Sequence, residues 1–317
     1  MRHDSDQDQP NLDQINWTQE YTGAGVLLGN IDGYPAVDHP DLEGQVTVYN
    51  PHRVTFGPYS WNADHASGCA GIAVGKKNNQ GIVGVAPGAH MIVAPYWKST
   101  DRAVWGTAWG RTSALSKAYS HFASKGVRCV NRELNSTRSP YGLEAIWGTT
   151  ADLDLVARYD QFVHVQSAGN DGKPIANQVY YKPAETLDHL LIVVGVDGNN
   201  KIWPRSNTPQ SRSLYIPNVR PIPPANLLKN FVVSAPATAI VQPASPTGYN
   251  WWYGTSFAAP AVQGLVALMY EKAARLGIAL TPQGAARIIK ETCTKIGPSE
   301  IYGHGLINVK AALERVQ

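Results

Sequence analysis

Three side chains able to carry out acyl transfer stand far apart in this sequence. Asp32 ends the apolar run VLLGNID (26–32), His65 lies in NADHASGCAG (62–71), and Ser256 lies in YGTSFAAPAV (253–262). A serine hydroxyl is a weak nucleophile. It needs a base that titrates near neutrality to take its proton, and a carboxylate to fix that base's tautomer and orientation. Taken singly, the three residues are weak signals. One histidine among nine is a core residue or a metal ligand as readily as a base, and a serine at a helix start is an ordinary N-cap. Only a fold that brings the three together gives them a common role.

The apolar runs describe such a fold. GVLLGNID, MIVAPYW, GVRCVN, FVHVQSAGN, LLIVVGV and NFVVSAP read as strands, several without polar alternation, as in a parallel sheet buried on both faces. Helical segments lie between or after them. TSALSKAYSHFASKG ends at Gly126, and TSFAAPAVQGLVALMYEKAARLG ends at Gly277. TPQGAARIIKETC starts with Thr281 as N-cap and Pro282 at the first helical position. The expected class is α/β, a doubly wound, mostly parallel sheet with helices on both faces. In such a sheet, strand C-termini and helix N-termini converge on one crevice, where Asp32, His65 and Ser256 can meet. Residues 1–20 are expected to form an N-terminal arm, loosely held over about 1–14, and 21–317 a single domain. Residues 203–226 are proline-rich without periodicity and read as a long surface loop.

Composition removes several classes. The net charge is +3 with 16% charged residues and no basic run, so no nucleic-acid partner is expected. The apolar runs are short and interrupted, so no membrane span is expected. The start of the chain, RHDSDQDQPNLDQ after Met1, lacks an apolar h-region. The expectation is an intracellular chain or a processed part of a secreted precursor. Cys69, Cys129 and Cys293 are too sparse for a disulfide framework or a zinc site and read as buried free thiols. GAGVLLG (23–29) has the wrong glycine spacing for a dinucleotide fingerprint and precedes a strand. AGIAVGKK (70–77) lacks the first glycine and the magnesium-binding hydroxyl of a phosphate loop.

Five motifs in order resemble the subtilisin-like serine peptidases, the subtilases. They are NIDGYPAVDHPDLEG (30–44), HASGCAG (65–71) followed by NNQGIVGVAPGAH (78–90), SAGNDG (167–172), YGTSFAAPAV, and YGHGLINVKAAL (302–313). The resemblance implies Ser256 as nucleophile, His65 as general base, Asp32 as its orienting carboxylate and Asn170 as oxyanion donor. It implies substrate contacts at Glu133, Leu134, Asn135, Ser167, Ala168 and Gly169; Trp252, in the aromatic run NWWY (250–253) just before the nucleophile, is expected to wall the leaving-group side. It also implies a structural calcium site at Asp41 and Asn78, with no cofactor needed for catalysis. The partners implied are a peptide or protein substrate and a propeptide or inhibitor. Gly68 replaces the second histidine of the family signature, and Gly33 replaces the small hydroxylated residue after the aspartate, which removes one support for Asp32. VNRELNS (130–136) carries Arg132, Glu133 and Asn135 where small or apolar residues are usual. Charge from Glu133 and Asp171 would favour Lys or Arg before the scissile bond. The leading reading is a serine endopeptidase. A ligase or macrocyclase using the same acyl-enzyme, and a peptide-binding pseudoprotease, are the alternatives.

Overall fold

All six apolar runs form strands, and they pair in parallel because their side chains are apolar on both faces. The computed structural model describes residues 9–51, 61–96, 108–133, 150–210, 223–237, 240–244 and 248–317. The strands are β1 (Leu27–Asp32), β2 (Val46–Val48), β3 (His90–Pro95), β4 (Cys129–Arg132), β5 (Val163–Ser167), β6 (Leu190–Val196) and β7 (Val232–Pro236). They make one sheet of order β2-β3-β1-β4-β5-β6-β7, parallel throughout. The order reverses at β1, which places a crevice beyond its C-terminal end and that of β4.

Helices cover both faces, as the sequence leads one to expect. The described helices are α1 (Pro10–Gln14), α2 (Trp61–Val74), α3 (Ala108–Lys125), α4 (Thr150–Arg158), α5 (Thr255–Arg275), α6 (Pro282–Thr292), α7 (Ser299–Tyr302) and α8 (Val309–Arg315). Leu28, Cys129, Val163 and Val165 share a core with α2, α5, α6 and α8. The opposite face packs Ile31 and Val130 against Leu115, Tyr119 and Phe122 of α3. Farther along the sheet, Ile192 and Val194 meet Leu153 and Val156 of α4. Helix α5 is buried over most of its length. Gly264 lets it lie close to the chain at Val85, since a Cβ there would stand 2.6 Å from the Val85 Cβ. Among the described residues no helix is long and apolar enough to cross a membrane.

Three features differ from expectation. A two-stranded antiparallel hairpin, β8 (Ile240–Ala244) with β9 (Gly248–Trp252), leads into α5. The described part of the N-terminal arm is packed rather than loose, because it carries apolar anchors: Leu12 and Ile15 are buried. Ile15 accepts the Val309 N–H at 2.8 Å, and the Trp17 indole donates to the Val85 carbonyl at 2.8 Å. Part of the described start of the 203–226 segment is interior rather than surface: after exposed Pro204 and Arg205, Ser206, Asn207 and Thr208 are buried, and the Ser206 hydroxyl accepts the Gly195 N–H at 2.9 Å. Residues 211–222 lie outside the described residues.

The arm is therefore part of the cooperative fold. Leu12→Ala is expected to cost about 2–5 kcal/mol of unfolding free energy, the range for a buried leucine. Urea denaturation measures it, and a change near zero would return residues 9–20 to the status of a loose appendage.

Candidate active site

The register of the sheet fixes which side chains meet at the crevice. Ile31 pairs with Arg132, and Arg132 with Gln166. One residue further along each strand come Asp32, Glu133 and Ser167. Alternation puts these three on the face that Leu28, Cys129 and Val163 give to α2 and α5, with neighbouring strands about 4.8 Å apart. Arg132 points to the other face, where its guanidinium meets the Asp152 carboxylate of α4 at 3.2 Å.

Helix α2 brings His65 over this row. His65 Nδ1 lies 2.8 Å from Asp32 Oδ1, and both residues are buried. The Gly33 N–H also reaches Asp32 Oδ1, at 2.7 Å. Asp32 Oδ2 is buried and has no hydrogen-bond partner among the described residues. That orphaned oxygen is the place where a hydroxylated residue at position 33 could help and glycine cannot. On the far side of the imidazole, Phe257 packs at a ring-centroid distance of 5.3 Å, and Trp252 packs edge-on against Phe257 at 5.7 Å. Trp252 is thus one ring removed from His65 and half-buried. Its neighbours Trp251 and Tyr253 are exposed.

Cys69, one turn after His65, ties α2 to α5. Its Sγ lies 3.8 Å from His65 Nδ1 and 3.2 Å from the carbonyl oxygen of Ser256. Burial, then the charges of Asp32 and Glu133, push the Cys69 thiol well above its usual range. It therefore stays an S–H donor to Ser256. Ligand atoms of Asp32, His65 and Cys69 lie within 4.8 Å of one another. A metal would need the thiolate, which this environment disfavours, so the group fits a hydrogen-bonded acyl-transfer site better than a cation site.

Ser256 is the second residue of α5, in the first turn, where backbone N–H groups lack intrahelical acceptors. Gly254 precedes the helix at φ 151°, a conformation open to glycine and strained for other residues. Asn170 is held from one side only. Its Oδ1 accepts the Thr255 N–H at 2.9 Å and the Thr255 hydroxyl at 3.0 Å, which leaves the NH2 group as the outward donor. Thr255 Oγ1 in turn accepts the Gly169 N–H at 3.0 Å. Asn207 supports the same loop: its Oδ1 accepts the N–H groups of Asp171 and Lys173, and its Nδ2 donates to the Ala168 carbonyl. Neither Thr255 nor Asn207 stands out in the sequence. The signal for Thr255 was its place beside Ser256, and for Asn207 a polar residue in a segment that reads as surface.

The remaining implied substrate residues divide. Ser167, Ala168 and Gly169 are buried at the end of β5 and just beyond it. Leu134 and Asn135 lie outside the described residues. Glu133 is not at an open pocket edge: it is buried at 3% exposure, and its Oε1 accepts from Asn131 Nδ2. Burial first, then the charge of Asp32, raise its carboxyl well above the usual carboxylate range, while the polar groups of Asn131, Ser167 and Ser256 act in the opposite sense. A carboxyl buried this far from the surface does not line an exposed pocket, which removes the ground for a Lys or Arg preference read from Glu133. Asp171 is exposed.

Asp41 and Asn78 meet, and in this structure their polar atoms bond within the cluster. Asp41 Oδ1 accepts from Asn78 Nδ2 at 3.0 Å. Asp41 Oδ2 accepts from the Ile82 N–H at 3.1 Å and from the Tyr249 hydroxyl at 2.8 Å. Asn78 Oδ1 faces the Gln80 N–H at 3.2 Å, which sets its amide orientation. Calcium requires six or more oxygens turned inward, whereas here donors converge on the carboxylate. Tyr249, from β9, fills the space against Gly81, where an added Cβ would collide with its hydroxyl. Melting with calcium and with chelator is expected to give the same midpoint, and Tyr249→Phe to cost about 1.5–3 kcal/mol, as for a hydrogen bond to a charged group. Calcium-dependent stabilisation of the wild type would contradict this.

Comparison with known proteins agrees with this geometry. Residues 23–305 match the Subtilase family. Subtilisin DY of Bacillus licheniformis is 26% identical over 299 residues, covering 93% of this chain and 93% of that protein. Subtilisin E of Bacillus subtilis (strain 168) is 24% identical over 299 residues, covering 94% of this chain and 68% of that protein. Among solved structures, the prenylagaramide maturation protease PagA superposes with a TM-score of 0.69 at 19% identity, covering 92% of this chain and 93% of that one. The self-cleaved protease domain of PatA gives the same TM-score at 19% identity, covering 93% and 98%. With its parallel sheet, its crevice and a family match over most of its length, the chain belongs to the subtilase family.

Proposed function

We propose that the protein is a serine endopeptidase that cleaves peptide bonds through an acyl-enzyme on Ser256. The observation that carries this reading is the hydrogen bond between His65 Nδ1 and Asp32 Oδ1, with Cys69 joining the same imidazole to Ser256. Asp32 holds the proton on Nδ1, so Nε2 is the basic nitrogen. His65 takes the Ser256 proton as the hydroxyl attacks the scissile carbonyl, then gives it to the leaving amine. Asp32 stabilises the imidazolium formed between those steps. The oxyanion receives two donors: the Asn170 NH2 group, aimed by the tie to Thr255, and the Ser256 N–H in the first turn of α5. Water then hydrolyses the acyl-enzyme.

A second reading keeps the acyl-enzyme and lets a peptide amine capture it. The exposed rings of Trp251 and Tyr253, just before the nucleophile, favour it as apolar surface able to screen the ester from water. The masses of the products from one peptide substrate separate the two readings: a mass gain of water marks hydrolysis, and its absence marks ligation or cyclisation. A peptide-binding pseudoprotease is disfavoured by the intact Asp32–His65 bond.

Ser256→Ala is expected to keep the fold and lose nearly all peptide cleavage, with His65→Ala about as damaging because the three residues act as a unit. Cleavage by Ser256→Ala at the wild-type rate would end the proposal. Asn170→Ala should lower kcat about 10²–10³-fold with little change in KM; that range is the established one for losing this donor in a subtilisin. A loss confined to KM would mean that Asn170 binds ground-state substrate instead of the oxyanion.

A further inference from the structure

Among the buried acids that the peptidase mechanism leaves unused, Glu133 stands in the row of the active site. Glu133 follows β4 at the reversal point of the sheet, in one row with Asp32 of β1 and Ser167 of β5. Its backbone N–H bonds the Ile31 carbonyl at 3.3 Å, so its position is set by the sheet rather than by a loop. One carboxyl oxygen is taken by Asn131. The other, Oε2, is buried with no hydrogen-bond partner, and so is the hydroxyl of Ser167. The Ser256 hydroxyl is within interaction distance of the same carboxyl. An unpartnered carboxyl oxygen in the interior, beside the proposed nucleophile, is costly unless it serves a purpose.

We propose that Glu133 is a further catalytic residue, which as a neutral acid donates its O–H to Ser256 Oγ and so turns the serine proton toward His65. This rests on the reading of Ser256 as nucleophile. In the neutral form the acid fills a serine lone pair and leaves the serine O–H a single good acceptor, His65 Nε2. In the ionised form the carboxylate accepts the serine O–H and draws it away from the base. It also sets a negative charge beside the centre where the oxyanion develops, which the oxyanion donors must then oppose. The site therefore works only while Glu133 keeps its proton.

The surroundings favour that state. The groups acting on the Glu133 carboxyl are Asp32 from β1, Cys69 from α2, Asn131 from β4, Ser167 from β5 and Ser256 from α5. Asp32 is the charged acid among them. Arg132, the nearest cation in sequence, lies on the opposite face with Asp152. Burial, and then the charge of Asp32 in the same row, raise the Glu133 carboxyl well above the usual carboxylate range, the direction that favours its protonated form.

The test is the pH dependence of kcat/KM for a peptide substrate, in wild type and Glu133→Gln. The wild type is expected to rise with deprotonation of the base and then fall on the alkaline side, by about tenfold per pH unit beyond the midpoint. In Glu133→Gln the amide donates at every pH, so the alkaline fall disappears while the acid limb stays. An alkaline fall that persists in Glu133→Gln, or a wild-type plateau with no fall while the fold is intact, overturns the proposal. Infrared spectroscopy of the wild type covers the case in which the variant does not fold. The band of a buried carboxylic acid should vanish over the pH range where activity falls, and a band that vanishes well before that range overturns the proposal too. Stability gives an independent readout. A folded-state acid held above its unfolded value binds more protons than the unfolded chain, so the wild type loses stability as pH rises from the ordinary carboxylate value to the raised one. Its melting temperature should fall away from that of Glu133→Gln across that window. An active-site phosphonate distinguishes the two failures. No adduct on Ser256 at any pH removes the parent reading, whereas an adduct formed with a flat alkaline profile removes Glu133 alone.

Discussion

The structure turns on one hydrogen bond, between the carboxylate that ends β1 and the imidazole in α2. Asp32 and His65 are 33 positions apart in sequence and meet at 2.8 Å in a buried site. Holding that bond requires β1 at the reversal point of the sheet, so that its C-terminal end opens on a crevice. It requires α2 to cross that end at close range, which its small residues Ala66, Gly68, Ala70 and Gly71 permit. It also requires α5 to start nearby, with Ser256 in its first turn. Cys69 joins the two helices through the imidazole and the Ser256 carbonyl. A small neutral thiol suits that position because it donates one weak hydrogen bond and adds no charge beside Asp32.

The second constraint is the amount of polarity buried at the same place. Asp32, His65, Asn131, Glu133, Ser167 and Ser256 are all buried, and buried polar groups are normally paired. Asn170 meets that demand through Thr255, and the loop around it through Asn207. Asp32 Oδ2, Asn131 Oδ1, Glu133 Oε2 and the Ser167 hydroxyl do not. Two of these four are the oxygens left over where Gly33 and Glu133 depart from the usual family residues. The substitutions are thus linked in space. A support for Asp32 is lost at position 33, and a second acid enters the row beside it.

Much of this was legible in the sequence, for identifiable reasons. Runs such as LLIVVGV are apolar at every position, so a strand buried on both faces was the natural reading, and β6 spans those seven residues. The ends of α5 and α6 carried glycine and threonine-proline signals that the structure uses. Thr281 accepts the Gly284 N–H, and Gly277 adopts φ 68°. The Asp, His and Ser segments were legible through their motifs in family order. Other parts depend on contacts that no local pattern encodes. SPTG (245–248) marks a turn between β8 and β9, but the role of Tyr249 depends on Asp41, 208 positions away, which accepts its hydroxyl. The arm looked loose because Gln9 to Gln14 is polar, yet Leu12 and Ile15 suffice to bury it. Asn207 is hidden in a proline-rich stretch of which 206–209 turn inward. The direction of Glu133 followed from strand alternation, but its burial did not, since a carboxylate at a strand end is ordinarily solvated.

The measurement that bears most directly on this account is intact-mass and peptide-mass analysis after reaction with a serine-directed phosphonate. One adduct on Ser256 in the wild type, reduced to background in His65→Ala and in Asp32→Ala, is the predicted result. No adduct under conditions where the protein is folded, an adduct on another residue, or labelling of Ser256 that is indifferent to loss of His65 would contradict it.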